Sequence, residues 1–135
     1  MRIQKSALLF IVVSGILAGL IGCVPNSEKA QGEKGVTEFH DKFNQSAFVE
    51  IYERADVSLR QIISRDEFVE GLNAIRQGHG TVQNTQLLAA DYNYSSGTRM
   101  IKLLHRTHFE KGDAQEQFIF FIDGNGPRLK SYVFR

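Results

Sequence analysis

The stretch that decides the fold is a pair of patterned segments at residues 101–122, IKLLHRTHFEKGDAQEQFIFFI. Apolar side chains recur at every second position in each segment, which predicts two half-buried β-strands. Lys111-Gly112 lies between the segments and predicts a tight hairpin turn. We therefore expect an antiparallel sheet to organise the domain.

Turn signals on both sides of this hairpin extend the sheet to four strands. The segment 93–97 (NYSSG) precedes the hairpin and the segment 123–127 (DGNGP) follows it. These turns predict strands at residues 81–92, 98–110, 114–123 and 128–134. Because the connections are short, we expect the strands to be sequential antiparallel neighbours.

A two-residue loop at Lys111-Gly112 also predicts the register of the central hairpin. The predicted pairs are Phe109 with Ala114, Thr107 with Glu116, His105 with Phe118, Leu103 with Phe120 and Ile101 with Ile122. One face of the sheet is then apolar. A four-residue turn over 124–127 adds Leu129, Ser131 and Val133 to that face, which we expect helices to cover.

The opposite face of the predicted sheet mixes bulky apolar groups with cations. Its predicted members are Met100, Lys102, Leu104, Arg106, His108, Ile119, Phe121, Lys130, Tyr132 and Phe134. An exposed apolar cluster usually marks an interface, which predicts a homodimer or a partner protein. The candidate interaction residues are Leu104, Arg106, Phe121, Tyr132 and Phe134. In the alternative, a terminal strand, a curled sheet or the stems of lysine and arginine cover this face.

The sequence before the sheet has a helical period. From Val36 onward, apolar residues recur every four positions and predict one long amphipathic helix; they are Phe39, Phe43, Ala47, Ile51, Ala55 and Leu59. The segment 56–58 is predicted to loosen or break this helix. Ser64 and Glu67 match a capping box, which predicts a second, shorter helix that ends at Gly78. The predicted class is α+β, with N-terminal helices, one long and one short, packed on a four-stranded antiparallel meander.

The first residues have the pattern of an export signal. The chain begins with cationic residues, which an apolar run from Ala7 to Leu20 follows. The pattern ends with small residues in the stretch Leu20-Ile21-Gly22-Cys23. This ending resembles the bacterial lipobox. The resemblance implies cleavage between Gly22 and Cys23, and a diacylglyceryl thioether with an N-acyl group on the cysteine. Several acyl chains would anchor the protein in a membrane.

Two alternative roles are open to Cys23: it could be a small core residue or half of a disulfide. It is the only cysteine in the chain, and a polar segment follows it, so we favour the lipid anchor. In proteobacterial lipoproteins, an aspartate after the cysteine holds the protein at the inner membrane. In this chain Val24 follows Cys23. This favours a location on the outer membrane, facing the periplasm, in a Gram-negative host.

These features predict three regions: a lipoprotein signal peptide at residues 1–22, the lipidated cysteine and a flexible linker at 23–35, and the domain at 36–135. The linker prediction rests on one proline, two glycines and alternating charges between Val24 and Gly35. Without Arg2 and Lys5, 14 basic side chains remain against 15 acidic ones. This near-neutral balance predicts no general affinity for nucleic acid.

Helical segments followed by a four-stranded meander resemble the cystatin-like and NTF2-like domains of bacterial envelope proteins. The resemblance lies in residues 105–116, HRTHFEKGDAQE, and continues through Phe118 and Phe120 to Leu129 and Tyr132. It implies the fold but transfers no catalytic residues, because such folds serve enzymes and binding modules alike.

The sequence contains little that indicates catalysis. His105 and His108 lie three residues apart, which on a strand places them on opposite faces, where they cannot share a metal ion. No nucleophile motif, phosphate loop or nucleotide fingerprint occurs, so we predict no catalytic residue, metal or cofactor. The expected function is that of a lipid-anchored envelope protein acting as a non-catalytic binding or protein-interaction module. The alternative is a small-ligand binder or an enzyme, with His105 and Glu116 as an acid–base pair in a pocket between helix and sheet.

Overall fold

The computed structural model describes residues 24–135, which fold into helices packed on one face of a sheet. The helices are α1 (Asn26–Asn44), α2 (Phe48–Arg54), α3 (Val57–Ile62) and α4 (Arg65–His79). The strands are β1 (Val82–Ser95), β2 (Thr98–Phe109), β3 (Gly112–Asp123) and β4 (Gly126–Phe134), antiparallel in the order β1-β2-β3-β4. The predicted α+β class is confirmed. The helices, however, lie in the middle of the chain rather than at its N-terminus, and the described residues contain four of them, not two.

The segment predicted to be a flexible linker is mostly helix, so that prediction is wrong. α1 begins at Asn26 and runs through both glycines of the segment. Those glycines face the sheet: a Cβ on Gly32 would lie 2.9 Å from Ile101 Cγ2, and one on Gly35 would lie 2.7 Å from Phe120 Cε1. Glycine is used here because it lets the helix backbone approach the sheet closely.

The long helix predicted from Val36 is divided into three pieces. α1 ends at Asn44, and Ser46 adopts a φ of 56°, which directs the chain into α2. The predicted break at 56–58 is confirmed, because the Asp56 carboxylate accepts a 2.9 Å hydrogen bond from the Ser58 N–H and caps α3. The break between α1 and α2 was missed, because the four-residue apolar spacing continues across it.

The capping box at the start of α4 is confirmed. The Glu67 N–H donates to Ser64 Oγ at 3.2 Å, and the Ser64 N–H donates to the Glu67 carboxylate at 3.1 Å. The helix ends at His79, one residue later than predicted, and Gly80 follows with a φ of 81°. A left-handed residue of this kind commonly ends a helix.

The four predicted strands are confirmed, but the register of the central hairpin differs by two residues. Phe109 pairs with Gly112, Thr107 with Ala114 and His105 with Glu116, so the loop is residues 110–111. Side chains alternate with a period of two along a strand, so a shift of two residues leaves every side chain on its predicted face. The assignment of β2 and β3 side chains to the two faces therefore remains correct.

The fourth strand departs from the prediction, because it contains a bulge. Leu129 pairs with Phe120 and faces the helices as expected, but beyond it Ser131 pairs with Ile119, leaving one extra residue on β4. A bulge of this kind reverses the alternation of faces. Tyr132 and Phe134 therefore lie on the helix-facing side, and the prediction that they belong to the opposite face is wrong. Ser131 and Val133 were predicted on the helix side and lie on the open side instead.

The hydrophobic core lies between the helices and this sheet. α1 contacts all four strands. The core side chains are those of Val36, Phe39, Phe43, Phe48, Ile51, Ala55, Leu59, Phe68, Leu72, Ile101, Leu103, Phe109, Ala114, Phe118, Phe120, Ile122 and Leu129. Since the described helices pack on one face only, the other face of the sheet stays open.

Candidate functional site

A cluster of polar side chains is enclosed in this core, where α1 crosses β3. Glu116 is 1% exposed and lies at its centre. His40 Nε2 lies 2.7 Å from Glu116 Oε2, which also accepts from Thr107 Oγ1 at 2.5 Å, and Tyr132 OH donates to Glu116 Oε1 at 2.6 Å. An ionised carboxylate can only accept, so His40 donates from Nε2. We call these four residues the Glu116 cluster.

The electrostatics of the Glu116 cluster favour an ionised carboxylate. Burial by itself raises the pKa of Glu116, but the hydrogen bond and charge of His40, with the hydroxyls of Thr107 and Tyr132, outweigh it and hold the pKa below its ordinary value of 4.5. Burial, together with the neighbouring Glu116 charge, raises the pKa of Tyr132 far above its usual range. Tyr132 is therefore a neutral donor at any physiological pH.

His105 extends the cluster toward β1. Its Nδ1 lies 2.9 Å from Thr85 Oγ1, which in turn lies 2.8 Å from Thr107 Oγ1. Burial lowers the pKa of His105, and the positive charge of His40 lowers it further against the opposing effect of Glu116. Within residues 24–135, the buried Nε2 of His105 has no hydrogen-bond partner. His105 is therefore a neutral, buried imidazole at neutral pH.

The structure brings the predicted pair His105 and Glu116 together as direct cross-strand partners on the helix side. Neither residue lines any of the five best-formed clefts of residues 24–135. The three hydrogen bonds to the Glu116 carboxylate come from side chains of its own domain. The arrangement joins α1 to the sheet.

Sequence reasoning missed His40, Thr85 and Tyr132 as members of this region. His40 follows Phe39 on the apolar side of α1, and a histidine there could have indicated a buried acidic partner. Tyr132 was placed on the wrong face because the bulge in β4 has no clear sequence signal. His105 and His108 lie on opposite faces as predicted: His105 is buried, and His108 is exposed with Nδ1 2.6 Å from Asp113.

The open face of the sheet is the second candidate site. At its centre are half-buried apolar side chains, namely Met100, Leu104, Ile119, Phe121 and Val133. Lys130 Nζ lies 5.5 Å from the centre of the Phe121 ring, a favourable cation–π distance. Lys102 pairs with Asp91 at 3.2 Å. Of the predicted interaction residues, Leu104, Arg106 and Phe121 belong to this face, whereas Tyr132 and Phe134 do not.

A third feature is an open cleft of about 590 Å³ where the described chain begins. It is lined by Val24, Pro25, Asn26, Lys29, Leu87, Leu88, Ala89 and Ala90. A smaller cleft of about 50 Å³ lies between α1, α2 and β4, near Phe39 and Leu129. No helix within residues 24–135 is both long enough and apolar enough to cross a membrane. The predicted signal peptide, its cleavage site at Gly22 and the predicted lipidation site Cys23 lie outside the described residues.

Comparison with known protein families and with curated proteins finds no match to this chain.

Proposed function

We propose that this chain is a lipid-anchored protein of the bacterial envelope, whose domain is a non-catalytic interaction module. The anchor is supported by the cationic start, the apolar run and the lipobox-like ending at Cys23. Acyl chains on this cysteine would hold the domain at a membrane surface. With Val24 after the cysteine, the periplasmic side of the outer membrane is the favoured location in a Gram-negative host.

We also infer a cystatin-like or NTF2-like arrangement for the domain. The support is the order of elements, in which helices precede a four-stranded antiparallel meander, with α1 in contact with every strand. This fold hosts many activities, so the surface of the domain indicates the function better than the fold does.

The observation that carries the proposal is the open face of the sheet, for which we infer a second copy of the chain as occupant. Sheets that pack face to face keep their strands within about 30° of each other. With a two-fold axis parallel to the strands and between β2 and β3, β2 of one copy lies over β3 of the other, and β1 lies over β4. Met100 then packs on Phe121 of the second copy, because these residues are cross-strand partners in each sheet.

The charges of the open face are complementary under the same two-fold operation. Asp91, Lys102, Ile119 and Ser131 form one row across the four strands. Asp91 on β1 of one copy therefore lies over β4 of the other, beside Lys130. Lys102 lies over Ile119 rather than over another cation. An apolar centre with opposite charges at its rim is the composition of a specific interface.

Sedimentation of the purified protein tests this association. Wild type is expected to dimerise, and Phe121→Glu is expected to sediment as a monomer, because it places a charge at the centre of the apolar contact. Val49→Glu is the matched control: Val49 is a 41% exposed apolar residue on α2, on the helix side of the domain. It should leave the dimer unchanged.

Two results would contradict the proposal. A wild-type protein that is monomeric at all concentrations rejects the second copy as the occupant. Mass spectrometry of the exported protein tests the anchor independently. An unmodified thiol at Cys23, or an uncut N-terminus, rejects the lipoprotein assignment.

A further inference from the structure

The domain lies within a few residues of the proposed anchor. Val24, the residue after Cys23, packs against the hydrophobic core, and α1 begins at Asn26. In the first turn of α1, Glu28 is buried and its Oε1 lies 3.3 Å from Arg99 Nη1 on β2. Three extended residues span at most about 11 Å, so α1 would begin within that distance of Cys23.

The surface at this point is apolar and open. Val24 and Pro25 form one side of the cleft described above, and residues 87–90 of β1, Leu-Leu-Ala-Ala, form the other. Leu87 pairs with His105 and Ala89 with Leu104, so Leu88 is the extra residue of a bulge. A bulge residue is left out of the ladder and can be directed away from the sheet. Leu88 is 40% exposed.

We propose that this entry surface, formed by Val24, Pro25 and residues 87–90, lies against the bilayer that holds the anchor. The inference rests on the proposed acylation of Cys23. The short connection argues for the bilayer as the occupant, because acyl chains on Cys23 would bring the lipid surface to this cleft. Leu88 inserts at the interface, and Lys29, on the rim of the cleft, reaches the anionic headgroups. The domain then has one fixed orientation on the membrane.

Tryptophan fluorescence tests this orientation, because the chain contains no tryptophan. Leu88→Trp is compared with Ile62→Trp. Ile62 is 82% exposed at the end of α3, an element that contacts β4 at the opposite edge of the sheet from β1. The full chain is produced with its signal in a bacterial host and reconstituted in vesicles of phosphatidylethanolamine and phosphatidylglycerol. Part of the phosphatidylethanolamine carries brominated acyl chains.

The Leu88→Trp protein is expected to show blue-shifted emission and several-fold stronger quenching by brominated lipid than the Ile62→Trp protein. Hydrogen exchange on the unsubstituted protein gives a second readout. Amides of residues 85–90 should exchange several-fold more slowly in vesicles than in the unlipidated protein in buffer, while those of α3 should not change.

The outcomes separate this inference from the function on which it rests. If Cys23 is acylated but both tryptophans are quenched equally, the fixed orientation is rejected and the lipid anchor stands. Blue-shifted emission without quenching by vesicle lipid would show that the protein's own acyl chains or a second copy fill the cleft, and it also rejects the inference. If Cys23 carries no lipid, both proposals fail.

Discussion

The carboxylate of Glu116 lies 2.7 Å from His40 Nε2 inside the core, although 76 residues separate them in the sequence. The contact joins α1 to β3, the strand that carries much of the core. Burial of a carboxylate costs desolvation, and the cost is met here because hydroxyl groups of Thr107 and Tyr132 supply further hydrogen bonds to it. The Glu116 cluster therefore fixes the position of the helix on the sheet.

Replacing Glu116 with glutamine should destabilise the domain by about 1.5–3 kcal/mol, the range for buried hydrogen bonds to charged groups. Glutamine keeps the shape but removes the charge, and its amide group meets donors where the carboxylate accepted. Denaturant unfolding followed by circular dichroism measures the change. Glu50→Gln is the control, because Glu50 also pairs with a cation, Lys42 at 2.7 Å, but on the exposed surface. An equal loss in both variants would contradict the proposed importance of the buried cluster.

The stability of the domain should decrease on acidification in two steps. The pKa of His105 is below 6.5 in the folded state, chiefly because of burial. Its contribution is present above pH 6.5 and is lost as the pH falls below that value. The pKa of Glu116 is below 4.5, so its contribution is lost only below pH 4.5. The titratable groups whose charges act on His105 are His40, Glu116 and Glu33.

Replacing His105 with glutamine isolates the upper of these steps. The free energy of unfolding of wild type should decline from pH 7.5 to pH 5.5, whereas the His105→Gln variant should have a flatter profile over that range. His108→Gln serves as the control, since His108 is exposed on the open face. A His105→Gln profile parallel to that of wild type would show that another group causes the decline.

At Gly35 in α1, replacement with alanine should change the stability in the direction opposite to that expected from helix propensity. Alanine is favoured over glycine in a helix by about 0.8–1 kcal/mol. At Gly35, however, a Cβ would lie 2.7 Å from the Phe120 ring, and forcing an extra group into a packed core costs about 1–3 kcal/mol. We expect Gly35→Ala to lower the melting temperature.

Gly71 in α4 provides a matched control for Gly35. No atom lies within 4 Å of the position that its Cβ would take, and the residue is exposed. Gly71→Ala should therefore stabilise the domain by about 0.4–1 kcal/mol. If both substitutions raise the melting temperature, α1 does not approach the sheet as closely as described.

The strands could be predicted because their alternation and their turns are local features. The predicted register of the central hairpin was wrong by two residues. Because side chains alternate with a period of two, each was still assigned to the correct face of the sheet. In β4 the bulge at Lys130 shifts the alternation of side chains by one residue. Tyr132 and Phe134 therefore lie on the helix side of the sheet and not on the predicted interaction face. A bulge depends on the fit between neighbouring strands, which the sequence of one strand does not reveal.

The prediction of a linker failed for a related reason. Gly32 and Gly35 are poor helix formers by propensity, and the surrounding charges gave no apolar stripe. Their spacing of three places both on one side of a helix, where tertiary packing against Ile101 and Phe120 decides the conformation. The candidate site was predicted in part, since Glu116 and His105 were placed on the correct face, but their partner on α1 is distant in sequence.

Tyr132 offers a test of both the bulge and the Glu116 cluster. Had it been on the open face, removing its hydroxyl would cost little. In the structure the hydroxyl donates to Glu116 Oε1 at 2.6 Å, and Tyr132→Phe should destabilise the domain by about 1.5–3 kcal/mol at pH 7, as expected for a hydrogen bond to a charged group. Tyr94→Phe is the matched control, because Tyr94 is 65% exposed at the end of β1.

The pH dependence of the same variant separates the hydrogen bond from a loss of packing. Tyr132 helps to hold the pKa of Glu116 below 4.5, so its removal raises that pKa in the folded state. The difference in unfolding free energy between wild type and Tyr132→Phe should stay constant from pH 7 to pH 5, where Glu116 is ionised, and should shrink below pH 4.5 as the carboxylate is protonated. A difference that does not change with pH would indicate that the hydroxyl acts through packing alone and makes no bond to an ionised Glu116.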